Sequence, residues 1–212
     1  MIVAIASIQG KPLKTPLAAN LALLRARSGR TICLIDVDPR RSAYSCSCAR
    51  SAAGQSPSVP TRTLDARSLA REIEELTPGF SDLLINTGEV ETQEARPALI
   101  AARVVLVPVQ VGNVDLESQY PLIARLNSAR MFNPSLKVLF VIVSDGSTPS
   151  PEQLAAVRLY VAHVMSATLV ATVLHAPCSH DDGQGRCASD AQTCDPDAAA
   201  ELHALYREIY TH

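Results

Sequence analysis

Short runs of Val, Ile and Leu alternate along the chain with longer stretches in which apolar positions recur at helical spacing. The runs fall at about 2–6, 31–37, 82–87, 103–109, 137–143 and 168–174. Apolar runs of this kind, with little polar alternation, suit parallel strands buried on both faces. Helical patterns fill the intervals, at about 16–28, 65–77, 93–102, 115–130, 151–166 and 196–210. Asp195 before Pro196 reads as an N-cap followed by a first-turn proline, and Pro134 and Pro151 punctuate in the same way. Gly54 to Pro60 reads as a surface loop leading to a short strand at Val59 to Leu64, and Cys178 to Cys194 as a second, polar loop. Strand–helix alternation predicts an α/β fold: a doubly wound, mostly parallel sheet with helices on both faces, in three layers. At 212 residues the expectation is one domain over 1–212.

Composition narrows the function classes without choosing among them. Hydrophobic residues make up 47% and charged residues 19% of the chain, ordinary values for a globular protein. The net charge of −2 supplies no global basic field, so nucleic-acid binding would need a local patch. No apolar run reaches the roughly 18 residues of a membrane span. The N-terminal apolar run is strand-length and lacks a basic leader, so a cytoplasmic location and no membrane partner are expected. Six cysteines in a chain of this size do not make a disulfide scaffold.

The chemistry gathers where strands end, which is where open parallel sheets bind ligands. After the first strand comes Ser7-Ile8-Gln9-Gly10-Lys11-Pro12-Leu13-Lys14-Thr15, and then an Ala/Leu-rich helix. A phosphate-binding P-loop reads G-x-x-x-x-G-K-[ST], its glycines letting backbone N–H groups close around phosphates. Lys14-Thr15 are the right final pair, and the Thr15 hydroxyl suits Mg²⁺, but Leu13 stands where the second glycine belongs. The frame is that of a P-loop NTPase with an altered cradle. The second strand delivers Asp36-Val37-Asp38-Pro39, and alternation along a strand points both carboxylates to one side. Such a pair suits Mg²⁺ and an attacking water, while Asp38-Pro39 is also able simply to open a turn. The third delivers Ile85-Asn86-Thr87-Gly88.

These segments resemble the ParA/MinD group of deviant-Walker P-loop ATPases, nearest the small plasmid-partition ParA proteins. Lys14-Thr15-Pro16-Leu17-Ala18-Ala19-Asn20-Leu21-Ala22 is similar to the second half of the group's K-G-G-x-G-K-[ST]-[ST] loop and helix. Leu34-Ile35-Asp36-Val37-Asp38-Pro39-Arg40-Arg41-Ser42-Ala43 resembles its L-I-D-x-D-P-Q-x-S-A segment. Val107-Pro108-Val109-Gln110 resembles its strand ending in P-x-Q, followed by Asp115, and Asp195-Pro196 to Tyr210 resembles its closing helix. The resemblance runs in order over nearly the whole chain. It implies ATP/ADP with Mg²⁺ as cofactors and a nucleotide-binding loop of Gly10, Lys11, Pro12, Leu13, Lys14, Thr15 and Pro16. It places Lys14 on the β- and γ-phosphates and Mg²⁺ at Thr15, with Asp36 and Asn86 in the metal shell. Asp38 would act with Lys14 in catalysis by orienting the hydrolytic water. Pro108 would line the nucleotide-proximal strand end.

Departures from the group's pattern put ATP hydrolysis in question. The lysine that reaches a partner's phosphates falls on Gln9, with Lys11 two positions on where the group has Gly. Leu13 replaces a loop glycine, Pro12 lacks an N–H, and Asn86 stands at the Walker B acid. Removing one charge-assisted hydrogen bond from such a site typically costs about 1.5–3 kcal/mol.

By resemblance, the expected function is plasmid or chromosome partition (DNA segregation) by a nucleotide-switched homodimer. Its partners would be a ParB-like or other small DNA-binding protein and, through Arg125, Arg130, Lys137, Arg158 and Arg207, non-specific DNA. The alternatives are a pseudo-ATPase adaptor and a conjugation or cargo-positioning accessory protein. Cys178, His180, Cys187 and Cys194, with Asp181 and Asp182, are metal-capable types, but Cys178-Ser179-His180 is too tight for a zinc pair and the later steps are loose. A polar loop with reduced thiols is the simpler reading. Cys46 and Cys48 read as helix-surface or half-buried thiols, and Cys33 as a small buried hydrophobe.

Overall fold

The computed structural model describes residues 1–7, 14–65, 67–88, 95–111, 116–144, 146–175, 185–188, 190 and 195–210. In chain order the elements are β1 (Ile2–Ile5), α1 (Lys14–Arg27), β2 (Ile32–Asp36), α2 (Ser42–Ala52), β3 (Thr61–Thr63), α3 (Leu69–Leu76) and β4 (Asp82–Asn86). There follow α4 (Arg96–Ala101), β5 (Val104–Gln110), α5 (Leu116–Phe132), β6 (Lys137–Val143), α6 (Pro151–Ala162), β7 (Ala167–Leu174) and α7 (Pro196–Tyr210). The strands form one seven-stranded sheet in the order β3-β2-β4-β1-β5-β6-β7. Every paired neighbour is parallel, as the unbroken apolar runs require.

Two apolar layers sandwich the sheet. One packs Val3, Ile5, Leu34 and Leu84 against Leu17, Leu21 and Leu24 of α1 and Leu202, Leu205 and Ile209 of α7. The other packs Ala4, Ile35, Ile85 and Phe140 against residues of α3, α4, α5 and α6, among them Leu69, Leu99, Leu126 and Tyr160. Successive residues of a strand therefore feed opposite layers, both of them apolar. Phe140 and Tyr160 meet edge to face with ring centroids 4.9 Å apart.

Local chemistry sets the ends. Ser150 and Gln153 make a reciprocal capping box at the start of α6, ahead of Pro151. Asp195 Oδ1 accepts from the N–H groups of Asp197 (3.0 Å) and Ala198 (3.3 Å), the N-cap expected from the sequence. The expected strands appear within a residue or two, and the Val59 to Leu64 segment yields β3. The helices expected at 65–77, 93–102 and 151–166 are shorter, at Leu69–Leu76, Arg96–Ala101 and Pro151–Ala162. The sequence pattern missed α2 altogether. Its residues, SAYSCSCARSA, carry no apolar stripe, and only Ala43 and Arg50 are buried. Tertiary hydrogen bonds hold it instead.

One of those ties comes from the C-terminal loop. Asp190 takes both terminal nitrogens of the Arg50 guanidinium (2.7 and 3.1 Å) and Arg27 Nη2 (2.6 Å). Gly185 lies against α2 with φ +64, and a Cβ there would come within 2.3 Å of the Cys46 carbonyl oxygen. Only glycine fits that approach. At the far edge of the sheet, β7 slips register against β6, Phe140 pairing with Leu169 and Ile142 with Val173. Glu208 of α7 fills the gap, accepting from the N–H groups of Ala171 and Thr172 at 2.9 Å each.

Candidate functional site

The carboxyl ends of β1, β2 and β4 lie side by side. Register sets Asn86 opposite both Ile5 and Asp36, so the three strand ends share one level. The strand order reverses across the sheet here, β1 leading to β2 on one side and β4 to β5 on the other. Crevices form at such switch points. Residues 36 and 86 stand on the same face as Leu34 and Leu84, which is the α1 face.

Lys14 opens α1 directly above this level. It is buried, 2% exposed, and its ammonium donates to the carbonyl oxygens of Thr87 (2.9 Å) and Gly88 (2.7 Å). A cation at a helix N-terminus is repelled by the helix dipole; the two carbonyls of the β4 end offset that. The β4 end is itself fixed, since Thr87 Oγ1 donates to Ile5 O at 2.8 Å. Thr15 and Pro16 are half-buried beside it. Asn20 is buried, donates from Nδ2 to Pro16 O at 2.8 Å and steadies the first turn. Gln9, Gly10, Lys11, Pro12 and Leu13, the remainder of the expected nucleotide loop, lie outside the described residues, as does Asp115.

Asp36 is 1% exposed and takes a protein donor on each oxygen. Its Oδ1 accepts from the Asp38 N–H (3.2 Å) and from Asn86 Nδ2 (3.0 Å), and its Oδ2 from the Tyr44 N–H at the head of α2 (2.9 Å). This is the tie that makes α2 helical without an apolar stripe: a buried carboxylate meets one of the helix's unpaired N-terminal N–H groups. Asn86 is fully buried, and its Oδ1 has no hydrogen-bond partner among the described residues. The amide orientation follows from chemistry, because an ionised carboxylate accepts only and the NH₂ must face it.

Asp38 lies two residues beyond the end of β2, in the turn that the Asp38-Pro39 pair was also able to open. Its Oδ1 accepts from Arg40 N (2.9 Å) and Arg40 Nε (3.4 Å), while Arg41 N donates back to Asp38 O (2.8 Å). The residue opens the turn into α2, and Arg41 completes that turn at φ 52. Gly88 packs on the same turn, where an added Cβ would touch Pro39 Cδ at 3.4 Å. Pro108 lies within β5 and pairs with Val141.

Hard-oxygen groups at the level are thus Thr15, Asp36, Asp38 and Asn86. As a Mg²⁺ ligand set they fit poorly. Both Asp36 oxygens are engaged by protein donors, and Asn86 supplies an uncharged oxygen. The signal available in the sequence was Asn86 at a strand end. What it missed was the use to which Asn86 and Asp36 put one another.

Among the described residues, no group of three His, Cys, Asp or Glu side chains is arranged to hold a metal. Cys178, His180, Asp181, Asp182 and Cys194 lie outside them. Cys187 is buried, and burial pushes its thiol up to about 12, away from the thiolate that zinc binds. Burial likewise raises Cys33 to about 11. Cys46 and Cys48 sit on α2. No helix among the described residues is long and apolar enough to cross a membrane.

Comparison with known proteins bears on the family and the fold. Residues 3–170 match the family model described as the CobQ/CobB/MinD/ParA nucleotide binding domain. No curated protein sequence matches significantly. Among solved structures, apo McdA of Cyanthece superposes with a TM-score of 0.72 at 15% identity, covering 98% of each chain. The MinC:MinD cell division protein complex of Aquifex aeolicus gives 0.72 at 16%, covering 100% of this chain and 96% of that one. Cobyrinic acid a,c-diamide synthase of Mycobacterium smegmatis, solved with an ATP analog and magnesium, gives 0.70 at 17%, covering 99% and 95%. At these identities the structures speak for the fold, a P-loop NTPase-like sheet. With the family model spanning most of its length, the chain belongs to the CobQ/CobB/MinD/ParA nucleotide-binding family.

Proposed function

We propose that the chain is a single ParA-like domain over 1–212 that binds ATP and ADP at the β1/β4 crevice and uses the bound state as a switch in DNA segregation. The observation that carries this reading is Lys14: a buried ammonium at the N-terminus of α1, held by Thr87 O and Gly88 O over the strand ends. A lysine so placed is ready to exchange carbonyl oxygens for phosphate oxygens, and phosphate is what a helix N-terminus favours. Thr15 and the segment Gly10 to Leu13 would complete the cradle, with Pro16 behind it. The switch would pair two copies of the chain and engage DNA or a small DNA-binding partner of the ParB kind. Of the candidate DNA cations, Lys137, Arg158 and Arg207 are exposed, while Arg125 and Arg130 are half-buried. Phosphate contacts would make any such binding fall steeply with salt.

A second reading, a pseudo-ATPase adaptor that holds nucleotide without turnover, is favoured by Asp38. Its carboxylate is engaged by Arg40, and Asn86 brings no second acid. A conjugation or cargo-positioning role uses the same site and differs only in partner.

Calorimetric titration of ATP and ADP tests the common core of these readings. Binding tighter than about 100 μM, close to −5.5 kcal/mol, and abolished in Lys14→Ala is the expected result. Equal heats in both proteins, or none at millimolar nucleotide, would refute it. Phosphate release from the same samples separates switch from adaptor.

A further inference from the structure

Asn86 and Asp36 are joined across in-register parallel strands, amide to carboxylate, at 3.0 Å. Both are buried, at 0% and 1% exposure. An acid at position 86 would bring two buried carboxylates to hydrogen-bond distance, and like charges so placed require a shared proton or a cation between them. Asparagine abolishes that requirement. It keeps the shape of the side chain, removes one negative charge and turns a repulsion into a donated hydrogen bond.

The rest of the local wiring points the same way. Asp36 also takes the N–H groups of Asp38 and Tyr44, so a cation seeking its oxygens would compete with the donors that seat α2. Asp38, the other acid at this level, is engaged by the main chain and side chain of Arg40. The Asn86 oxygen left over is an acceptor suited to a water or an N–H, without the charge to hold a divalent ion. Less negative charge around Lys14 also means less repulsion of a phosphate chain that arrives without its metal.

Building on the nucleotide reading above, we propose that this site takes a nucleoside polyphosphate as the uncomplexed anion. With Asn86 beside it, Asp36 is a single buried charge, where two acids would need a divalent cation between them.

The test is titration of wild-type protein with ADP and with ATP, in excess Mg²⁺ and in excess EDTA, paired with thermal melts of nucleotide-free wild type and Asn86→Asp. Dissociation constants in the two buffers should agree within about threefold for wild type. Its melting temperature should be indifferent to Mg²⁺. Asn86→Asp should melt lower in EDTA and recover in Mg²⁺, the new acid pair having gained the cation it needs. Wild-type affinity that drops about tenfold or more in EDTA overturns the proposal while leaving the nucleotide reading intact. So does a wild-type melt that Mg²⁺ raises as far as it raises Asn86→Asp. Absence of binding in both buffers overturns the nucleotide reading and this proposal with it. The wild-type titrations decide even where Asn86→Asp does not fold.

Discussion

Asp190 is held by two guanidinium groups and a main-chain N–H, with Cys187 N donating to Oδ2 at 2.8 Å beside the contacts from Arg50 and Arg27. Burial by itself would raise its pKa, but the hydrogen bonds from Arg50, the Cys187 N–H and Arg27, with the charge of Arg50, hold it below the usual carboxylate range. A carboxyl depressed in the folded state contributes stability that is present above its unfolded value, about 3.9. That contribution drains away as pH falls through the lower folded value. Wild-type stability should therefore decline between about pH 5 and pH 2, and Asp190→Asn should flatten that part of the curve in urea titrations. Arg50→Met should cost about 3 kcal/mol, since it strands a buried acid with one arginine fewer. At this scale the sequence was partly legible. Lys14 and Asp36 could be picked out by type and position, whereas Arg50 and Asp190, 140 residues apart, could not.

Strands whose burial is written in their own residues were legible, and α2, which carries no apolar stripe, was not. Strands such as β6, KVLFVIV, announce themselves because hydrophobic burial is written in consecutive residues. α2 is small and polar, and its helicity depends on Asp36 below and on Asp190 and Gly185 beside it. β7 has a comparable dependence. Its slipped segment relies on the Glu208 carboxylate to receive two strand N–H groups and the Thr172 hydroxyl (2.6 Å). Hydrogen bonds to a charged acceptor are worth about 1.5–3 kcal/mol. Glu208→Ala should accordingly speed amide exchange at Ala171 and Thr172 by about one to two orders of magnitude, with little change in β1 or β2. Unchanged exchange at those two amides would show that the slip holds itself.

Across the whole molecule, the two ends of the parallel sheet do different jobs. At the carboxyl ends lie Lys14, Asp36, Asn86 and Thr87. At the opposite end, buried Asp82 takes a forked pair of hydrogen bonds from Arg25 (2.9 and 3.2 Å) and an ion pair from the Met1 amine (3.2 Å). Arg25 also donates to Tyr206 OH (3.0 Å) and lies 4.2 Å from the centre of the Tyr210 ring. One arginine thus fastens α1, β4 and α7 together. Arg25→Ala should lower stability by about 2 kcal/mol while leaving nucleotide affinity unchanged; Lys14→Ala should do the reverse. Thermal melts and titrations of the two variants side by side check the separation. A Lys14→Ala protein that melts far lower would instead make Lys14 chiefly structural.

By itself the sequence determined the strand and helix alternation, the parallel sheet and the gathering of Lys14, Thr15, Asp36, Asp38 and Asn86 at strand ends. Those properties follow from local periodicity and from side-chain chemistry that neighbours in the chain already reveal. Tertiary structure alone decided what the collected residues do to one another. It ended β2 at Asp36 and gave the Asp38 carboxylate to Arg40. It set Asn86 in register with Asp36, converting an apparent loss of an acid into an internal hydrogen bond. Hydrogen bonds between strands far apart in sequence depend on register and on where each strand stops, and neither is encoded within a few residues of the groups that bond.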